Sequence, residues 1–172
     1  MAGARMQRLI LLRHGKAESV SGSGGDMTRA LTDRGRRDSA LMGRVLADAG
    51  MIPDLVLVSE ARRTRETWDE LSLAFPAARI EFDRALYLAS ADRLAHMVDA
   101  SAELASCLMI IGHNPGLHEL AAVCAGRSHG GAYERLMNAF PTTAAAVFRK
   151  DADGGWTLED MLVPGEHGGG VL

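Results

Sequence analysis

The stretch Leu9-Ile10-Leu11-Leu12-Arg13-His14-Gly15-Lys16 decides how this chain folds. Four consecutive apolar residues suit a strand buried on both faces, as in a parallel sheet. Arg13 and His14 cannot carry that strand further into a core, because burying an unpaired charge is costly. They stand where the strand emerges, at its carboxyl end, which in open α/β sheets is where ligands bind. Gly15 lets the backbone turn sharply or approach a ligand closely. An imidazole beside a guanidinium at such a place suits attack on an anion, the ring attacking and the arginine holding the negative oxygens.

Working outward, the same design recurs twice. Leu55-Val56-Leu57-Val58 is a second buried strand, ending at Ser59 and followed by Arg62-Arg63. Cys107-Leu108-Met109-Ile110-Ile111 is a third, ending in Gly112-His113-Asn114-Pro115-Gly116. Helical patterns separate them. Thr32 caps one whose Leu41, Val45 and Ala49 share a face and which Gly50 ends. Thr64, Trp68, Leu71 and Phe75 line a second, stopped by Pro76. Ser90 caps a third, with Leu94, Met97 and Val98 inward. Asn114 as cap with Pro115 at the first position starts a fourth. Arg79–Phe82 is a short strand with Ile80 and Phe82 on one side, and Ala144–Phe148 and Trp156–Leu158 form a hairpin around Asp151–Gly155. Gly126–Asn138 reads as a Gly-rich connection with one helical turn near 133–137, and whether it forms a lid is open.

Strands alternating with helices predict a three-layer α/β/α sandwich with a largely parallel sheet, one domain over residues 1–172 with flexible ends at 1–7 and 165–172. If the three buried strands are parallel neighbours, their ends open on one edge and gather two histidines and at least two arginines. Arg62 and Arg63 fall in the first turn of a helix, where cations are unfavourable by a few tenths of a kcal/mol up to ~1. A docking dianion makes sense of them. Adjacent helical residues point ~100° apart, so only one of the two can face the pocket squarely.

Composition narrows the alternatives. Of 172 residues, 47% are hydrophobic and 24% charged, ordinary for a soluble globular chain. A net charge of −3 and a pI of about 6.1 offer no basic field for nucleic acid. No apolar run approaches the ~20 residues of a membrane span, and Leu9–Leu12 is too short for a signal-peptide core. Cys107 and Cys124 lie in apolar segments without a metal or redox motif, as expected of reduced thiols in a cytoplasmic protein. His113 and His118 are five apart, not the four that faces two zinc ligands together on a helix. Arg34, Arg36 and Arg37 read as a solvated helix face, and His96, His129 and His167 as surface residues.

Leu-Leu-Arg13-His14-Gly15 resembles the signature of the histidine phosphatase superfamily, also called phosphoglycerate mutase-like. Ser59-Glu60-Ala61-Arg62-Arg63-Thr64-Arg65-Glu66-Thr67 resembles its second motif and Gly112-His113-Asn114 its third. Asp26-x-x-Arg29-x-Leu31-Thr32 and Gly-His-Asn-Pro-Gly are most similar to the SixA type, whose members are phosphohistidine phosphatases. The resemblance implies His14 as nucleophile and future phosphohistidine, Arg13 and Arg63 as phosphate ligands, and His113 as the second histidine contacting the phosphoryl group. Arg29 either touches phosphate or orders its loop, and Ser59 reads as a helix cap. Glu60, Thr64 and Val20 depart from the superfamily pattern in ways that disfavour a mutase or sugar-phosphate specificity. No metal or cofactor is implied, since arginines supply the positive charge.

Most of the superfamily uses a carboxylic acid to protonate the leaving alkoxide. Glu18, Glu81 and Asp83 are the candidates here, none in the expected motif. Imidazole, with a conjugate-acid pKa near ~6.5, leaves with little help, so a missing acid favours a phosphoramidate. The expected partner is therefore a protein-borne phosphohistidine carrier, with a small phosphorylated substrate or a non-catalytic phosphate-binding module as alternatives. A monomer is expected, and the basic helix face would steer an acidic partner.

Overall fold

The computed structural model describes residues 5–171; the first four residues of the expected frayed leader, and residue 172, lie outside it. Six strands form one sheet: β1 (Arg8–Arg13), β2 (Leu55–Ser59), β3 (Arg79–Asp83), β4 (Cys107–Gly112), β5 (Ala145–Lys150) and β6 (Trp156–Leu162), in spatial order β3-β2-β4-β1-β5-β6. The first four run parallel, while β5 and β6 form an antiparallel edge. Five helices complete the described residues: α1 (Asp33–Asp48), α2 (Arg62–Leu71), α3 (Ala91–Ala100), α4 (Gly116–Ala125) and α5 (Gly131–Asn138).

Successive strand residues face opposite sides of the sheet. Ile10, Leu12, Val56 and Val58 therefore pack with Met42, Leu46, Trp68 and Leu71 of α1 and α2. Leu9, Leu11, Leu55 and Leu57 pack on the other side with Leu94, Leu120 and Leu136 of α3, α4 and α5. The result is the three-layer sandwich with a largely parallel sheet. The register aligns the strand ends: Arg13 pairs with Gly112, and Val58 with Ile111 one step before Ser59.

The structure corrects several local expectations. On α1 the inward row is Met42 and Leu46, fully buried, whereas Leu41 and Val45 are half-buried and Ala49 is exposed. Gly35, Ser39 and Gly43 complete that face; small residues carry no apolar signal, so the true stripe hid from the periodicity. Gly126–Asn138 contains two turns of helix, anchored by buried Leu136, and none of it lines the crevice described below. On β3, Ile80 and Phe82 are exposed at the sheet edge. The Arg34–Arg37 cluster is partly spent in ion pairs, Arg34 with Asp38 at 3.4 Å and Arg36 with Glu66 at 3.0 Å.

Some described residues near the two ends pack against the body of the fold. Met6 is buried, and the Gln7 amide donates to the Ser106 carbonyl at 2.8 Å. Near the other end, the Gly170 amide donates to Asp38 Oδ1 at 2.9 Å. Both cysteines are free, and burial pushes Cys107 up to about 12 and Cys124 to about 11. Among the described residues, no helix is long and apolar enough to cross a membrane.

Candidate active site

The aligned ends of β1, β2 and β4 open on a crevice of about 370 Å³, lined among others by Arg13, His14, Arg29, Arg63, Tyr87 and His113. Its floor is His14, 7% exposed, just past β1. His14 Nδ1 lies 2.8 Å from the Gly15 carbonyl oxygen. A carbonyl only accepts, so Nδ1 carries the proton and Nε2 presents its lone pair. Arg63 Nε donates to that Nε2 at 3.3 Å.

Glycine at position 15 is required by crowding. A Cβ there would stand 2.8 Å from both the Gly35 carbonyl oxygen and Ser39 Oγ. The turn is pinned from above as well. The Gly15 amide donates to Thr67 Oγ1 at 2.9 Å, and that hydroxyl donates to the Arg63 carbonyl at 2.6 Å. The turn that carries His14 and the helix that carries Arg63 are thus one hydrogen-bonded unit.

His113 is 3% exposed, and its ring centroid lies 5.3 Å from that of His14. That separation lets both imidazoles reach one tetrahedral oxyanion. Arg63 Nη2 donates to His113 Nδ1 at 3.3 Å, which leaves Nε2–H to donate to Ser59 Oγ at 2.8 Å. Ser59 therefore orients the second histidine, where a helix cap was expected; the cap position of α2 is Ala61. Likewise Asn114 does not cap α4. Its Nδ2 donates to the Phe140 carbonyl at 2.9 Å, and Pro115 holds the cap position.

Arg63, only 2% exposed, settles the choice between neighbouring arginines. Arg62 lies outside, paired with Glu66 at 2.9 Å. Arg13 Nη1 donates to the Phe140 carbonyl at 3.1 Å, and its buried Nε has no partner among the described residues. Arg29 reaches the crevice wall while ordering its loop, donating to Asp26 Oδ1 at 2.9 Å and to the Glu18 carbonyl at 2.7 Å.

These surroundings keep both histidines neutral. Burial, then the guanidiniums of Arg63, Arg13 and Arg29, push His14 down to about 4 against an opposing hydrogen bond to the Gly15 carbonyl. Burial first, then His14 and Arg63, push His113 down to about 3. A neutral imidazole whose Nε2 lone pair points among guanidiniums has the chemical character that attack on a bound anion requires.

Two crevice residues escaped the sequence reading as site members. Asp26, in a short turn at Asp26–Thr28, places Oδ2 3.0 Å from Arg63 Nη2. Tyr87 donates its phenol hydrogen to the same Oδ2 and stands edge-on to His113, ring centroids 5.5 Å apart. The spacing Asp26-x-x-Arg29 was the available signal, since it pairs a carboxylate with a cation one helical turn away. None of Glu18, Glu81 and Asp83 lines the crevice. Asp83 instead accepts the Ala85 amide at 2.7 Å. His118 Nε2 lies 2.6 Å from the Leu136 carbonyl oxygen, paired with backbone rather than with His113.

Comparison with known proteins identifies the family. The family model described as histidine phosphatase superfamily (branch 1) matches residues 9–103. An uncharacterised chloroplastic protein of Arabidopsis thaliana is 31% identical over 170 residues, 92% of this chain and 78% of that one. The solved structure assigned as phosphohistidine phosphatase SixA from Agrobacterium tumefaciens is 28% identical with a TM-score of 0.81, covering 92% of this chain and 99% of that one. Its counterpart from Nakamurella multipartitia is 26% identical with a TM-score of 0.80, covering 94% and 98%. With its motifs, its fold and its relatives in accord, this chain belongs to the histidine phosphatase superfamily, branch 1, and is of the SixA type within it.

Proposed function

We propose that the protein is a phosphatase that removes phosphate from phosphohistidine on a protein, through a phosphohistidine formed on His14. One observation carries the reading: the Nε2 lone pair of His14 faces a pocket in which Arg63 and His113 converge. In the first step His14 Nε2 bonds to phosphorus as the bond to the substrate's nitrogen breaks. Arg13 and Arg63 hold the phosphoryl oxygens, which gather charge in the transition state, and His113 joins them through Nδ1–H in the tautomer whose Nε2 accepts the Ser59 hydroxyl. Water then displaces His14 and releases inorganic phosphate. The Gly15 carbonyl, by keeping Nδ1 protonated, lets His14 depart as a neutral ring.

The substrate assignment rests on proton supply. An alkoxide leaving group needs an acid, and the carboxylate that lines the crevice is not one. Hydrogen bonds from Tyr87, Arg29 and Arg63 hold Asp26 well below the usual carboxylate range, so it stays ionised. A phosphorylated imidazole needs no such acid when its opposite ring nitrogen already carries a proton, because it then leaves as a neutral ring. Beside the crevice, a cavity of about 880 Å³ sharing Lys16, Ala17, Asp26 and Arg29 leaves room for the body of a large substrate.

The test uses a phosphorylated histidine-carrier protein labelled in its phosphoryl group, with an alkaline denaturing quench because phosphohistidine is acid-labile. A base-stable label on the wild type, absent from His14→Asn, is expected, with faster turnover than on phosphoserine or sugar phosphates. Equal labelling of His14→Asn would remove the nucleophile assignment. A preference for small esters would replace the substrate class. Alanine at Glu18, Glu81 or Asp83 should change carrier dephosphorylation by less than about 3-fold, since surface substitutions outside a site seldom matter.

A further inference from the structure

The mechanism above leaves Asp26 without a task, yet it is the most heavily anchored side chain on the crevice rim. Its carboxylate takes Arg29 Nε on Oδ1 and Arg63 Nη2 and the Tyr87 phenol on Oδ2. The Asp26 carbonyl also accepts Arg63 Nη1 at 2.9 Å. A carboxylate offers about four acceptor sites, so one remains on Oδ1. The position also differs from that of the nucleophile. His14 is sunk in the floor, whereas the Asp26 side chain is 44% exposed at the mouth, where a displaced group must exit.

We propose that Asp26 is the specificity determinant for the leaving group: its free Oδ1 site accepts the ring N–H opposite the phosphorylated nitrogen of the substrate's imidazole. This rests on the phosphohistidine reading and says how the site recognises it. With that proton held, the P–N bond breaks as the His14–P bond forms, and the electron pair stays on the released nitrogen. The proton already on the opposite nitrogen remains there, so a neutral imidazole leaves and no proton need move. Without it the ring would depart as an anion. Gly15 provides the same service to His14 in the second step. An ester meets the reverse conditions: its alkoxide develops negative charge toward a fixed carboxylate and finds no proton there.

The charged and titratable groups facing Asp26 set the pH behaviour. Arg29 on its own loop, Arg63 on α2 and Tyr87 beyond β3 touch it, with His113 behind Arg63 and Lys16 on the crevice wall. The arginines and the phenol keep the carboxylate charged across neutral pH, so the ring being held, which titrates near ~6.5 when free, is the group whose protonation changes.

The experiment measures kcat/KM for phosphoimidazole and for p-nitrophenyl phosphate, whose phenolate leaves without a proton, from pH 5.5 to 8.5. In wild type the ratio of the two should hold up past pH 7. In Asp26→Asn it should fall about 10- to 100-fold, the worth of a hydrogen bond to a charged group, and fall further as pH rises through ~6.5. Asp26→Glu, which restores the charge, should recover part of the ratio. Parallel losses on both substrates in Asp26→Asn, or no change in the ratio, would overturn the assignment while leaving the phosphatase intact. A wild type that forms no base-stable label on His14 from phosphoimidazole would instead overturn the reading beneath it.

Discussion

At the scale of the residue, the chemistry turns on which ring nitrogen carries the proton. A backbone carbonyl fixes His14 and a serine fixes His113, and between them Arg63 spends its Nε and Nη2 on the two facing lone pairs. A planar fork makes that bridge possible, and a lysine ammonium on a flexible stem cannot span it. Arg63→Lys should therefore lower kcat/KM by at least about 100-fold, several charge-assisted hydrogen bonds being lost together. Arg62→Ala, next in sequence, should stay within about 2-fold, because its exposed pair with Glu66 is worth little. Steady-state kinetics on one substrate checks both, and the reverse order would mean that the wrong arginine faces the phosphoryl group. The resemblance picked Arg63 where local spacing left the pair open. Asp26 and Tyr87 stayed hidden as site members because their partners are about 37 and 61 residues distant in the chain.

At the scale of the element, the site depends on how closely α1 approaches the turn after β1. Gly15 and Gly35 face each other there, and a Cβ on Gly35 would lie 2.2 Å from the Lys16 carbonyl oxygen. That oxygen already accepts the Thr32 amide at 2.8 Å. Backbone cannot step aside as a flexible side chain can, so Gly35→Ala is expected to cost about 1–3 kcal/mol, the range for overpacking a tight interior. Because the displaced segment carries His14, kcat should fall as well. Gly43→Ala on the same helix meets Ala74 Cβ and the Leu71 carbonyl oxygen at 3.3 Å. It should cost less and leave kcat nearly unchanged. Urea midpoints with parallel assays separate the two; equal stability and activity losses would deny the Gly35 contact its special role. These glycines, with Ser39, also explain why the inward face of α1 was misplaced by periodicity, while the buried strands and the caps at Thr32 and Ser90 were plain in the sequence.

At the scale of the whole molecule, folding keeps two imidazoles neutral inside a cationic crevice, and this sets how stability responds to pH. His14 falls to about 4 and His113 to about 3 from an unfolded value near 6.5. Between pH ~6.5 and those values the unfolded chain binds more protons, so stability is full above ~6.5 and drains away as pH falls. Asp26, also lowered, adds a loss in the same direction at more acidic pH. The denaturation midpoint should thus drop from pH 7 to pH 5, and His14→Asn or His113→Asn should flatten that slope. Inorganic phosphate should restore part of the loss, since an anion bound only by the folded state stabilises it by mass action. A midpoint independent of pH across that window would contradict the burial of neutral rings.

The chain itself determined the sandwich and marked the strand-end histidines as site candidates, because apolar runs and strand-end motifs are local and the hydrophobic effect reads the runs directly. Tertiary structure alone decided that Ser59 serves His113 and that Asp26 and Tyr87 close the rim, and it shows Arg63 pointing inward, a choice that local spacing left open and the resemblance made. Those choices depend on parallel strands placing distant segments side by side in aligned register, where a few ångströms of separation, invisible along the chain, fix every hydrogen bond.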